Sequence, residues 1–210
     1  PGFDNFDVSS LRLISYGTSP ILPAVVRRAA KAFPGTGFQQ CYGLTECSPY
    51  LAMLDEEAHE RGLNGEEHLL CSAGRPVPGV DLRILDEDGN EVPTGEVGEV
   101  VVRGPQVSHG YHNRPIEHEA AFRDGMFHTG DVGRLDEDGF LYLLDRKRDM
   151  IITGGENVYT REVEEVLGRH SGVKEVSVIG VPDTDYGEAL FAAIVPSADW
   201  QPSVDELIEH

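Results

Sequence analysis

The hydrophobic pattern of this chain changes its period near Val80, and that change constrains the fold more than any other feature. Upstream, apolar residues recur at helical spacing, at Val26, Ala29, Ala30 and Phe33. From Val80 onward, apolar and charged residues alternate, as in the run Val80-Asp81-Leu82-Arg83-Ile84. A period near 3.6 followed by a period of two predicts an α/β segment and then a set of short antiparallel strands.

The α/β segment is predicted to contain a strand, a helix and a second strand. Apolar residues at 11, 13 and 14 indicate the first strand, Pro34-Gly35 ends the helix, and residues 37–42 form the second strand. Residues 55–75 carry mixed charge and are predicted to be irregular.

The alternating part contains two similar turns, Asp88-Gly89-Asn90 and residues 136–139. The run 97–102 is rich in valine, and residues 141–144 form another apolar run. Several short strands joined by such turns predict a small β-barrel or sandwich.

The last part of the chain begins with a dense cluster of charged residues at 145–149. A helix with Thr160 as its N-cap and strands at 173–181 and 190–195 are predicted to follow. This order indicates the start of a small α+β domain. We therefore expect a domain boundary at Asp145, which separates residues 1–144 from residues 145–210.

Composition excludes several classes of function. The 210 residues carry 17 Lys and Arg against 37 Asp and Glu, a net charge of −20. Nucleic-acid binding is not expected, because it depends on many Lys and Arg contacts to phosphates. No apolar run approaches the ~20 residues that cross a bilayer. Three cysteines without C-x-x-C spacing favour a reduced, cytoplasmic protein over a disulfide scaffold.

Both ends of the chain suggest a piece of a longer protein. The first residue is Pro1, and Ser203–Glu206 forms a capping box that opens a helix just before the last residue, His210.

Three other kinds of site fit the sequence poorly. Residues 86–89 lack the later acidic positions of a calcium loop. The histidines at 109, 112, 118 and 128 lack the Cys/His spacing of a zinc site. Ser15 and Ser48 lie outside any G-x-S-x-G motif of a hydrolase.

Four short segments place hydroxyls, carboxylates and glycines where loops are expected. They are Tyr16–Pro20, Tyr42–Glu46, His128–Asp131, and Asp145-Arg146 together with Gly154-Gly155. Each segment taken alone fits ordinary turn chemistry.

Taken together and in order, these segments resemble the adenylate-forming acyl-CoA synthetases. The resemblance covers residues 11–181 and rests on FQQCYGLTE, GEVGEVVVRGP, FHTGDVGRLDEDGFLYLLDRKRDMI and ITGGENVYTREVEEVL. The G-G-E-N-V-Y wording is most similar to aliphatic acyl-CoA ligases. The resemblance implies that an α/β segment and a β-barrel end a large domain, which the start of a small, mobile α+β domain follows.

The resemblance also implies a reaction. A carboxylic acid would react with ATP to give an acyl-AMP and pyrophosphate, and the thiol of coenzyme A would then take the acyl group. Mg²⁺ would supply counter-charge to the phosphates. The resemblance does not determine which acid is activated, whether the acceptor is other than coenzyme A, or whether the protein is a homodimer.

The resemblance assigns roles in the first two segments. Thr45 would donate its hydroxyl to the α-phosphate, Glu46 would hold Mg²⁺, and Tyr42 would lie against adenine beside Gly43. Gly17, Thr18 and Ser19 would line the adenine side of the pocket.

The other two segments receive roles by the same resemblance. Asp131 would accept hydrogen bonds from the ribose hydroxyls, and Arg146 would reach the ribose or a phosphate. Asp145 would be the hinge. Gly154 and Gly155 would let the pantetheine arm of coenzyme A pass close to the backbone, or form a tight hairpin turn.

The chain departs from the family pattern at several points. The glycine-rich P-K loop and a late lysine are absent, so we expect this piece alone to adenylate poorly. A non-catalytic, nucleotide-binding or scaffold relative is the alternative. Cys41 stands where a glycine is frequent, where it would trim the acyl pocket or be a small buried residue.

Overall fold

A computed structural model describes residues 6–19, 21–198 and 203–210. These residues form two compact units. The first unit contains the described chain up to Thr129 together with Gly133–Leu143. The second unit contains Gly130–Val132 and the described chain from Leu144 onward.

The first unit opens with a β-α-β motif. Strand β1 (Leu13–Gly17), helix α1 (Pro23–Ala32) and strand β2 (Gly37–Tyr42) follow in order, and β1 and β2 are parallel. The sheet continues with antiparallel strands β3 (Ala52–Leu54) and β4 (Arg75–Pro76), in the order β1-β2-β3-β4. The predicted strands and helix of this segment are confirmed.

The prediction that residues 55–75 are irregular is wrong. Helix α2 (Glu56–Leu63) lies there, followed by a 3-10 turn at Glu67–Cys71. The Asp55 side chain starts α2 by accepting a hydrogen bond from Ala58 N at 2.9 Å. The buried residues of α2 are Ala58, His59 and Gly62, and none of them is a large apolar residue. A helix face of this kind gives no strong hydrophobic period in the sequence.

A second sheet carries the alternating part of the sequence. Its strands are β5 (Asp81–Leu85), β6 (Gly98–Arg103), β7 (Phe122–Arg123), β8 (Met126–Leu135) and β9 (Leu141–Arg146). The order is β5-β6-β8-β7, with β9 paired to β8, and helix α3 (Pro115–Ala121) precedes β7. The strands predicted at 80–84, 97–102 and 141–144 are confirmed, whereas closure into a barrel stays a prediction.

The main core of the first unit lies where these elements pack together. Val100, Val102 and Leu141 are fully buried there, as are Leu51, directly before β3, and Ala52, the first residue of β3. Burying such side chains contributes roughly 25 cal/mol per Å² of apolar surface.

The second unit is built on an antiparallel sheet with one main packed helix. Strands β10 (Ile151–Thr153) and β11 (Glu156–Val158) precede helix α4 (Thr160–Gly168), and β12 (Val173–Asp183), β13 (Gly187–Pro196) and α5 (Val204–Ile208) follow. The sheet order is β11-β10-β13-β12. The two long strands and the capping box at Ser203 and Glu206 are confirmed.

Two further findings concern the chain as a whole. No helix in the described ranges is both long and apolar enough to cross a membrane. All three cysteines are described and free, with Cys41 and Cys47 buried and Cys71 exposed.

Candidate functional site

The first two predicted segments lie side by side at one edge of the first sheet. Gly17 at the end of β1 is paired with Cys41, one residue before the end of β2. Since β1 and β2 are parallel, the chain leaves both strands at the same edge. The structure therefore brings Gly17–Ser19 and Tyr42–Glu46 together, whereas Pro20 lies outside the described residues.

The backbone at the end of β1 is close-packed and strained. A Cβ atom on Gly17 would lie 2.2 Å from the carbonyl oxygen of Cys41, so the strands admit no side chain there. Thr18 has φ 68°, a left-handed conformation that costs a β-branched residue about 1–2 kcal/mol. Strain of this kind marks positions that the surrounding fold forces into place.

A buried histidine, which the sequence did not indicate, holds the last tyrosine of β1. The Tyr16 hydroxyl lies 2.8 Å from His59 Nε2, and His59 Nδ1 lies 2.8 Å from the Asp55 carbonyl oxygen. A carbonyl only accepts, so Nδ1 carries the proton and Nε2 accepts from Tyr16. Burial lowers the pKa of His59 and raises the pKa of Tyr16, so both side chains are neutral at pH 7.

The Tyr42–Glu46 loop is anchored in the core just past its end. Residues Thr45–Cys47 form one 3-10 turn, and the Cys47 side chain is fully buried. Burial, and then the neighbouring Glu46 carboxylate, raise the pKa of Cys47 to about 12. A Cβ atom on Gly43 would lie 1.4 Å from the Pro49 carbonyl oxygen, so only glycine fits. Tyr42 packs partly against the core, while Thr45 is exposed and Glu46 is half-buried.

A second loop, residues 104–112, binds the Thr45–Tyr50 segment, and sequence reasoning missed it. The Tyr111 hydroxyl donates to Glu46 Oε1 at 2.7 Å, and Ser108 N donates to the Glu46 carbonyl oxygen at 2.7 Å. Ser48 Oγ donates to the Gln106 carbonyl oxygen at 3.1 Å. Burial and the hydrogen bond to Glu46 raise the pKa of Tyr111 to about 12.

The donor set around Glu46 fits one kind of metal ion. Within the described ranges, no group of three or more His, Cys, Asp or Glu side chains could form a metal cage. Mg²⁺ does not need such a cage, because it keeps several waters and binds one or two carboxylates plus substrate phosphates. Glu46 fits that role, since its Oε2 accepts no hydrogen bond from the described part of the chain.

In the second unit, Asp131 lies within strand β8 and not on the loop that the sequence predicted. The run His128–Asp131 is polar, which hid the strand, and Gly130 with φ 74° interrupts its regular conformation. Asp131 is 9% exposed, and Arg146 Nε lies 3.6 Å from its Oδ1. The structure thus brings together two residues that the sequence assigned to one nucleotide.

The Asp145 carboxylate is fully engaged. Its Oδ1 accepts from Arg146 N at 2.7 Å, and its Oδ2 accepts from Thr160 N at 2.6 Å and Thr160 Oγ1 at 2.8 Å. The prediction that Thr160 is the N-cap of α4 is wrong. Thr160 is the first helical residue, Tyr159 precedes it without a side-chain cap, and Asp145 satisfies the helix from fifteen positions upstream.

Gly154 and Gly155 form the two-residue turn between β10 and β11. Thr153 pairs with Glu156, and the two glycines have φ angles of 61° and 89°. Positive φ at both central positions is typical of a type I′ hairpin turn. The turn requires these glycines by itself, so their contact with coenzyme A stays a prediction.

Comparison with known proteins identifies the family. The profile of the family described as AMP-binding enzyme matches residues 2–112, which is more than half of the chain. The chain belongs to the AMP-binding enzyme family. The profile of the AMP-binding enzyme C-terminal domain matches residues 162–210. Membership of the adenylate-forming superfamily, which the sequence motifs predicted, is confirmed.

Relatives of this chain include several acyl-CoA ligases. Medium/long-chain-fatty-acid–CoA ligase FadD8 of Mycobacterium tuberculosis is 44% identical over 90% of this chain and 32% of its own length. Feruloyl-CoA synthase of an Amycolatopsis species is 41% identical over 99% of this chain and 40% of its own length. The chain therefore spans about a third of the length of the first and somewhat more of the second.

Solved structures show the same fold. The amide bond synthetase McbA of Marinactinospora thermotolerans has a TM-score of 0.87 and 40% identity over 99% of this chain and 41% of its own. The o-succinylbenzoate CoA synthetase MenE of Bacillus subtilis, in complex with its acyl-adenylate intermediate, has a TM-score of 0.83 and 36% identity over 98% of this chain and 40% of its own.

Proposed function

We propose that this AMP-binding enzyme is part of an ATP-dependent acid–thiol ligase. The carboxylate oxygen of an acid attacks the α-phosphorus of ATP, pyrophosphate leaves, and an acyl-AMP forms. The sulfur of coenzyme A then attacks the acyl carbon, and AMP leaves. The acid is a fatty or other aliphatic acid, since FadD8 is named for medium- and long-chain fatty acids.

One observation carries the proposal: two loops with donors and one carboxylate leave parallel strands at the same edge. Thr45 is exposed there with its hydroxyl available, and Glu46 stands next to it. Ligands of α/β proteins bind at the carboxyl ends of parallel strands. The first step joins two anions, so this edge has to position them and neutralise their charge.

The residues of the first unit divide this work. Thr45 donates to the α-phosphate, and Glu46 with its open Oε2 holds Mg²⁺, which neutralises phosphate charge when bound. Tyr42 lies against adenine, and Gly17, Thr18 and Ser19 line the adenine side of the pocket. Gly43 lets the loop pass close to the backbone at Pro49.

The residues of the second unit bind the sugar and permit the second half-reaction. Asp131 has two acceptor oxygens that suit a vicinal diol, and Arg146 beside it adds a permanent positive charge. Asp145 is the hinge between a large domain ending at residue 144 and a small one. The Gly154-Gly155 turn guides coenzyme A, and the enzyme works in the cytoplasm.

Pyrophosphate exchange by the complete gene product tests this proposal. Labelled pyrophosphate should enter ATP only when a carboxylic acid is supplied, with aliphatic acids most effective. Glu46→Gln should lower the exchange rate by about 100-fold or more, because it removes the metal ligand but keeps the shape. Glu57→Gln, an exposed carboxylate on α2, is the matched control and should leave the rate unchanged. If no carboxylic acid of any class supports exchange, the proposal is wrong.

The acceptor is a separate question, because the structurally similar McbA is named as an amide bond synthetase. An amine nucleophile would replace the thiol and leave the first step intact. Supplying preformed acyl-AMP with either coenzyme A or a primary amine separates the two. A thioester as the main product supports the acid–thiol ligase proposed here. An amide as the main product would mean that the protein is part of an amide bond synthetase instead.

A further inference from the structure

The 104–112 loop contains a residue with a further role at the site. This role rests on the proposed function. We infer that Tyr111 is a positioning residue that holds the Glu46 carboxylate in one orientation for a divalent cation. Tyr111 donates to Oε1 at 2.7 Å, which leaves Oε2 as the oxygen that would bind a metal ion.

The geometry makes Tyr111 a firm support rather than a loose surface contact. Its ring meets the Phe122 ring edge-to-face, with centroids 5.7 Å apart and planes at 75°. Phe122 in turn lies 4.8 Å from Phe127, which is 3% exposed in the main core. A line of aromatic rings therefore connects the Glu46 carboxylate to the interior, and such rings have few rotatable bonds.

The backbone of the same loop fixes the other end of Glu46. Ser108 N donates to the Glu46 carbonyl oxygen at 2.7 Å. The Gln106 carbonyl oxygen accepts from Ser48 Oγ at 3.1 Å, and Gln106 Nε2 donates to the Tyr50 carbonyl oxygen at 3.3 Å. Cys47, directly after Glu46, is fully buried. The glutamate is thus held at its backbone by the core and at its carboxylate by one phenol.

A single carboxylate ligand needs such support. A glutamate side chain has several rotamers, and ordering them on metal binding reduces affinity. Partners of metal ligands in proteins fix the orientation of the ligand in the same way, and their loss typically weakens metal binding by about 10- to 100-fold. Because the Tyr111–Glu46 pair is partly exposed, we expect a loss of about tenfold.

The experiment measures Mn²⁺ affinity, with Mn²⁺ as a paramagnetic substitute for Mg²⁺. Electron paramagnetic resonance of the complete gene product with ATP, and without acid, gives the dissociation constant of Mn²⁺. Tyr111→Phe keeps the ring and removes the donor, and should weaken Mn²⁺ binding about tenfold without changing the melting temperature. Phe122→Leu, which removes the ring behind Tyr111, should weaken it less.

Two controls separate positioning from a general structural effect. Tyr50→Phe removes an exposed phenol from the same segment and should not change Mn²⁺ affinity. Tyr111→Phe should have no further effect in the Glu46→Gln background, because the phenol acts only through that carboxylate.

The outcomes distinguish this inference from the proposed function. If the wild type binds Mn²⁺ and exchanges pyrophosphate while Tyr111→Phe binds Mn²⁺ equally well, the inference is wrong and the ligase stands. If Tyr111→Phe and Glu46→Gln lower Mn²⁺ affinity additively, Tyr111 acts elsewhere and the inference is also wrong. Absence of both exchange and Glu46-dependent Mn²⁺ binding in the wild type would overturn the proposed function and this inference together.

Discussion

The two units hold their acidic candidate residues in different ways. In the first unit, the segment that carries Glu46 continues into Cys47, Leu51 and Ala52, which are all 0% exposed. In the second unit, three hydrogen bonds hold Asp145, two of them from Thr160. The strands of that unit expose apolar side chains, with Ile179 53% and Phe191 52% exposed.

This difference separates two kinds of support. Apolar packing is non-directional and shared among many atoms, so its loss is felt across the whole cluster. Hydrogen bonds to one carboxylate are directional and few, so a single substitution removes them all. The Glu46 segment should therefore respond mainly to lost volume, and the Asp145 segment mainly to lost acceptors.

The largest effect should come from removing volume beneath the Glu46 segment. Leu51→Ala leaves a cavity in the main core and should lower the free energy of unfolding by about 2–5 kcal/mol. Chemical denaturation measures the loss. Leu190→Ala in β13 is the matched control, and because Leu190 is 39% exposed it should cost less than about 1 kcal/mol. If both variants lose the same free energy of unfolding, the Glu46 segment does not depend on apolar packing more than the second unit does.

A smaller effect should follow from removing the Asp145 carboxylate. Asp145→Ala leaves the first turn of α4 without its acceptor and should cost about 1–2 kcal/mol in the free energy of unfolding. Hydrogen exchange should show faster exchange of the α4 amides in particular. Asp149→Ala removes a carboxylate whose ion pair with Arg148 is exposed, and should have almost no effect. Unchanged α4 amides in Asp145→Ala would show that packing on β12 supports the helix without it.

The sequence predicted those parts of the fold in which large apolar residues keep one period. The β1-α1-β2 motif follows from its regular pattern and from Pro34-Gly35, and the parallel pairing then places both site loops at one edge. Strand β8 was missed because its polar residues are satisfied inside the sheet, as Thr129 Oγ1 shows by donating to the Val100 carbonyl oxygen at 2.7 Å. Local patterns report burial only when the buried residues are apolar.

Partners distant in sequence were beyond prediction for a related reason. Tyr111 lies 65 positions from Glu46, and Asp145 lies 15 positions from Thr160. A hydrogen bond between such residues depends on where the intervening strands run. No periodicity carries that information.

The smallest effect concerns pH and the buried histidine behind the first site loop. Burial lowers the pKa of His59, so the folded protein resists a proton that the unfolded chain accepts near pH 6.5. Stability from this group is thus fully present above about pH 6.5 and falls as the pH decreases, by at most about 0.7 kcal/mol between pH 7 and pH 6. Protonation would also remove the acceptor at Nε2 that holds the Tyr16 hydroxyl, 2.8 Å away. Denaturation of wild type and His59→Gln at both pH values isolates this group, because every other titratable residue is the same in the two proteins. The result against this prediction is a free energy of unfolding that changes equally with pH in both proteins. His59 would then take up its proton in the folded state as readily as in the unfolded chain. The first unit would tolerate a charge behind Tyr16 although it holds the Glu46 segment by packing.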